Sequence, residues 1–84
     1  MSKAEKTKQF IIEKTAPIFN TKGYSGTSIS DITTATRLTK GSIYGNFENK
    51  DEVAIASFKF NVKKLHDVLS REIEKQRTFK EKLL

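Results

Sequence analysis

The sequence predicts an all-α fold: three helices packed as a bundle, extended by a long fourth helix. Two observations carry that expectation. Apolar residues recur near the 3.6-residue helical period in successive stretches. A capping side chain (Ser2, Thr27, Thr39 or Asn49) stands at the head of each stretch. At 84 residues the chain has room for one small domain.

Ser2 and Glu5 have the spacing of a capping box and open the first helix. Ile11, Ile12, Thr15, Ile18 and Phe19 give it one apolar face, and Lys22 followed by Gly23 marks its end. Pro17 lies inside this stretch and predicts a kink between Glu13 and Pro17, because proline lacks the donor a helix interior needs. Thr27 is placed to cap a second helix, reaching about Ala35 and burying Ile29 and Ile32. A turn over Thr36 to Leu38 leads to Thr39, the expected cap of a third helix from Lys40 to about Gly45 that buries Ile43 and Phe47.

Asn49, with Glu52 three residues on, opens the fourth helix, expected to reach Arg77 or beyond. Ile55, Phe58, Val62, Leu65, Leu69 and Ile73 form one apolar stripe on it; Val53, Ala56 and Phe60 form another. A helix from Lys50 to Arg77 spans roughly 40 Å, against roughly 25 Å for a three-helix core. Its outer half therefore carries apolar residues with nothing in this chain to cover them, which predicts either a further domain or a dimer interface.

The formal net charge of +6 suits a polyanionic partner. The excess lies in residues 3–22 and 59–82, while residues 31–52 are close to neutral, so charge alone supports only a basic helical domain. Lysines such as Lys63, Lys64 and Lys75 are expected to form a solvated face. The absence of cysteine excludes disulfides and thiolate metal sites and fits an intracellular chain. No apolar run approaches the roughly 20 residues of a membrane span. The single histidine, His66, has Asp67 beside it, and residues one apart on a helix do not face each other. No enzyme, metal or cofactor is expected.

The middle of the chain has what a helix-turn-helix needs. Ile29, Ile32, Leu38, Ile43 and Phe47, with Phe19 beneath, supply a wedge holding two helices at a fixed angle. Lys40, Gly41, Ser42 and Gly45 make the third helix slim on its outer face, fit for a major groove roughly 12 Å wide. Glycine in a helix costs up to about 1 kcal/mol relative to alanine, so two within six residues imply close approach to another surface. Thr27, Tyr44, Asn46 and Lys50 are spaced around the rim as phosphate donors, and the N-termini opened by Thr27, Thr39 and Asn49 attract anions.

The order Phe19-x-x-x-Gly23-Tyr24-x-x-Thr27-Ser28-x-x-x-Ile32, then Leu38-Thr39-Lys40-Gly41-Ser42-Ile43-Tyr44-x-x-Phe47 and Lys50, resembles the N-terminal DNA-binding domain of the TetR family of transcriptional regulators. The resemblance covers about residues 8–60 and implies a homeodomain-like helix-turn-helix domain over 1–48. Residues 49–84 would then be a connecting helix and the start of a C-terminal ligand-binding and dimerisation domain, with this chain the reading head of a longer protein. It implies a sequence-specific regulator of double-stranded DNA, a ligand-released repressor acting as a cytoplasmic homodimer on a near-palindromic operator, with a small-molecule inducer bound elsewhere. The DNA-binding set it implies is Thr27, Ser28, Arg37, Thr39, Lys40, Gly41, Ser42, Tyr44, Asn46 and Lys50. The turn departs from the family's usual Ala-Gly, reading Thr36-Arg37, so Arg37 either adopts a left-handed conformation or sits in a turn built differently. Thr33 stands in place of a small alanine and needs a backbone partner. The rival expectation is a helical protein-interaction module using the stripe from Ile55 to Ile73.

Overall fold

The computed structural model describes residues 1–83. Four helices follow in order: α1 (Lys3–Gly26), α2 (Ile29–Thr36), α3 (Lys40–Asn46) and α4 (Lys50–Leu83). Ser2 caps α1 as expected, its hydroxyl accepting from the Glu5 N–H at 3.1 Å. The backbone angles stay helical through Pro17, where a kink is expected, and break at Gly23 (φ 74, ψ 177), where the sequence places the end of the first helix. Proline removes one donor, but the neighbouring Thr15 and Ala16 are fully buried, and the Asn61 amide of α4 donates to the Ala16 carbonyl at 3.0 Å. Tertiary packing there outweighs the local defect. At Gly23 the positive φ is one that side chains rarely tolerate, so the break falls on the residue that adopts it without strain.

After Gly23 the chain makes one more helical turn to Gly26. Thr27 is not the cap of α2. It is fully buried, its hydroxyl donating to the Gly23 carbonyl at 2.7 Å, and so satisfies an acceptor that the kink leaves without its helical partner. Ser28 is the cap. Its hydroxyl accepts from the Asp31 N–H at 3.1 Å, and the Asp31 carboxylate accepts from the Ser28 N–H at 2.9 Å.

Arg37 ends α2 in the left-handed conformation (φ 59, ψ 22). Thr36, almost fully buried, braces this strained turn: its hydroxyl donates to the Ile32 carbonyl at 2.8 Å and accepts from the Leu38 N–H at 3.2 Å. Thr33 finds its partner in the Ser30 carbonyl at 3.0 Å.

Ile11, Ile32, Ile43 and Val53, one from each helix, form the core with Phe47, the residue that ends α3, and Ile12, Phe19, Ile29, Leu38 and Ala56 pack around them. Burying each large side chain contributes about 1.5–3 kcal/mol. α4 begins at Lys50, where Asn49 accepts from the Glu52 N–H at 2.9 Å. Only its first turns touch this core. Beyond Asn61 the apolar residues Val62, Leu65, Val68, Leu69 and Ile73 are all exposed, so the stripe is uncovered as the length argument requires. Among the described residues no helix is long and apolar enough to cross a membrane.

Candidate nucleic-acid interface

α3 is a seven-residue helix held from beneath. Thr39 caps it, accepting from the Ser42 N–H at 3.0 Å. Ile43, fully buried, and Phe47, at 2 % exposure, pin its inner face and the residue that ends it. The opposite face is turned out: Thr39, Lys40, Gly41, Tyr44 and Gly45 are exposed, and Ser42 and Asn46 are half-buried.

The two glycines of α3 meet almost nothing. A Cβ at Gly45 has no heavy atom within 4 Å, and one at Gly41 meets only the Thr39 hydroxyl at 3.9 Å. Neither glycine has a positive φ. Internal packing and backbone strain therefore do not account for glycine at either position. What glycine changes is the thickness of the outward face.

The other expected contact residues divide by placement. Ser28 and Arg37 are exposed at the two ends of α2. Tyr44 has 37 % of its surface exposed. Asn46 donates an amide N–H back to the Ser42 carbonyl at 2.9 Å, closing the end of α3. Thr27 lies inside the fold, its side chain fully buried and bonded to the Gly23 carbonyl. Lys50, half-buried, holds its ammonium 4.4 Å from the centre of the Tyr24 ring. Tyr24 and Thr36 are the residues sequence reasoning missed, one bracing α4 and the other the turn.

Exposed polar contacts join the helices around this framework. Lys22 pairs with Asp31 at 3.3 Å, and the Ser28 N–H and Lys22 together hold the Asp31 carboxyl below its usual range. The Tyr24 hydroxyl donates to Asp51, and that bond raises the pKa of the phenol, so it stays protonated. Elsewhere, His66 and Asp67 do approach each other, at 3.8 Å, contrary to the expectation from their spacing. Both are largely exposed and no third group joins them. Among the described residues no cluster of His, Asp or Glu could hold a metal ion.

The chain is similar to several known proteins. The family model of bacterial regulatory proteins, tetR family, matches residues 11–56, from the core of α1 to the first turns of α4. The chain is 43% identical over 44 residues to the HTH-type transcriptional repressor DhaR of Mycobacterium sp. (strain GP1), which covers 52% of this chain and 22% of DhaR. It is 37% identical over 82 residues to an uncharacterized HTH-type transcriptional regulator in the lacX 3′ region of Lactococcus lactis, covering 92% of this chain and 42% of that protein. A crystal structure of a TetR family transcriptional regulator from Cytophaga hutchinsonii superposes with a TM-score of 0.86 at 58% identity, covering 88% of this chain and 37% of that one. The chain thus spans between about a fifth and two fifths of the length of these proteins.

Proposed function

The chain belongs to the TetR family of bacterial transcriptional regulators, and from that premise we propose that α3 is its reading helix on double-stranded DNA. The observation that carries the proposal is the open space over Gly41 and Gly45 on an otherwise well-packed helix. A face without side-chain bulk lets the backbone and the flanking Thr39, Lys40 and Ser42 come within reach of base edges. Tyr44, Asn46 and Lys50 on one side and Ser28 and Arg37 on the other grip phosphates and fix the register.

In the whole protein, residues 1–48 are the DNA-binding unit, and α4 leads into a domain that dimerises and binds a small inducer. Two copies of α3 then enter successive major grooves about 34–36 Å apart on a near-palindromic operator. Inducer binding moves the α4 helices and spoils that spacing, which releases the DNA. Repression is favoured because the similar protein DhaR is named a repressor. Action on DNA places the protein in the cytoplasm.

The test is selection of bound duplexes from a random pool with the full-length protein. An enriched inverted repeat with half-sites one helical turn apart is expected, with affinity falling steeply as salt rises. A pool with no enrichment, or salt-insensitive association with a protein and none with DNA, would replace this reading with the interaction module built on Ile55 to Ile73.

A further inference from the structure

We infer that Tyr24 is a positioning residue for DNA binding, which keeps the charge of Lys50 available to phosphate by holding Lys50 and Asp51 apart; the inference rests on the proposed reading of α3 and its rim. Lys50 and Asp51 are neighbours at the start of α4, where an ammonium and a carboxylate can neutralise each other. In the structure they do not pair. Tyr24, 27 residues before Asp51 and just past the Gly23 kink, contacts both of them. Its hydroxyl takes the Asp51 carboxylate, and its ring carries the Lys50 ammonium at 4.4 Å from the ring centre. Among the described residues Lys50 has no ion-pair partner.

A ring face attracts an ammonium electrostatically and occupies about one of its N–H donors, so the other hydrogens of Lys50 and its full charge remain for a phosphate. The ring also restricts a side chain that would otherwise lose rotamer entropy on binding. Tyr24 is itself about half exposed, so little of its surface serves the core. The arrangement links the end of α1 to the rim: the conformation of Gly23 aims Tyr24, and Tyr24 aims Lys50.

The test is a double-mutant cycle in the full chain, with Tyr24→Leu, Tyr24→Phe, Lys50→Ala and the combinations with Lys50→Ala. Binding is measured across a salt series to a mixed-sequence duplex of about three helical turns, and melting temperature is recorded alongside. Lys50→Ala is expected to weaken binding and flatten the log–log salt slope by about 0.9. Tyr24→Leu is expected to weaken binding about two- to fivefold and to flatten the slope in the same direction. Tyr24→Phe, which keeps the ring but frees Asp51, should fall between it and the wild type. Neither Tyr24 change should matter further once Lys50 is alanine.

Equal losses from Tyr24→Leu in both backgrounds would overturn the inference while leaving the DNA-binding reading intact. If Tyr24→Leu unfolds the chain, the Tyr24→Phe arm of the cycle decides by the same criterion. A wild-type chain with no salt-dependent duplex affinity would overturn both, and is distinguishable because every variant would then be equally inert.

Discussion

The bundle around Phe47 and the outer half of α4 expose opposite kinds of surface. In the bundle Ile11, Ile32, Ile43 and Phe47 are inside, and what faces out on α3 beside Tyr44 is thin and polar: Lys40, Gly41, Gly45 and the half-buried Ser42. Beyond Asn61 the relation is reversed. Val62, Leu65, Leu69 and Ile73 are about half or more exposed, and Val62 and Leu65 line an open groove between α1 and α4 with Pro17, Phe19 and Phe58. A slim polar face suits a hydrated, negatively charged groove. A long apolar stripe suits only other apolar surface. The two regions of one chain thus present surfaces of opposite character, and the stripe contributes little to the stability of the bundle itself.

That contrast can be broken by measurement. The largest effect belongs to the bundle: Phe47→Ala should cost about 3–5 kcal/mol in chemical denaturation, enough to unfold much of a domain this small. A loss below 1 kcal/mol would mean that the bundle does not depend on its wedge. Arg37→Gly should raise stability by about 1 kcal/mol, because it relieves a left-handed residue, and it should weaken DNA binding through the lost guanidinium. A melting curve and a binding isotherm on one sample check both signs. Leu65→Lys, on the stripe, should change unfolding free energy by less than about 0.5 kcal/mol; a loss of several would show that the stripe is already covered.

Acid gives the smallest effect and touches both regions. Asp31 in the bundle and Glu74 on outer α4, which pairs with Arg77, have carboxyls held below their ordinary values by their hydrogen-bonding partners. A depressed carboxyl stabilises the fold above its unfolded value and loses that contribution as pH falls through its folded one. Helicity should therefore hold across the neutral range and decline only below the ordinary carboxylate range. Both groups are exposed, so high salt should blunt the decline. Asp31→Asn and Glu74→Gln should each remove a part of it.

Much of this was legible in the sequence because local spacing encodes it. The four helices, the caps at Ser2, Thr39 and Asn49, and the wedge Ile32, Ile43 and Phe47 all follow from periodicity and capping, and the structure places them as expected. Thr27 was misplaced because two hydroxyl residues stand side by side. The Ser28-x-x-Asp31 pattern, with aspartate in the place usual for glutamate, was the signal that separates them. The contacts at Pro17 and Tyr24 lie outside local spacing altogether. Beside Pro17 the Ala16 carbonyl accepts from Asn61, 45 residues further on, and what Tyr24 braces is the start of α4; neither contact leaves a mark in local spacing. Thr36 was visible as a departure from the family turn, but its value lies in two hydrogen bonds that only the folded turn creates.

The contact set, unlike the fold, stands on exposure and resemblance, and the thinness of α3 is the property on which it turns. The direct test is Gly41→Leu, followed by unfolding free energy and by affinity for the selected operator. The account predicts that stability is unchanged or rises by up to about 1 kcal/mol, since leucine is the better helix former and the space above Gly41 is open, while operator affinity falls at least about tenfold, a loss of about 1.4 kcal/mol. Undiminished operator affinity in a stably folded Gly41→Leu variant would contradict it.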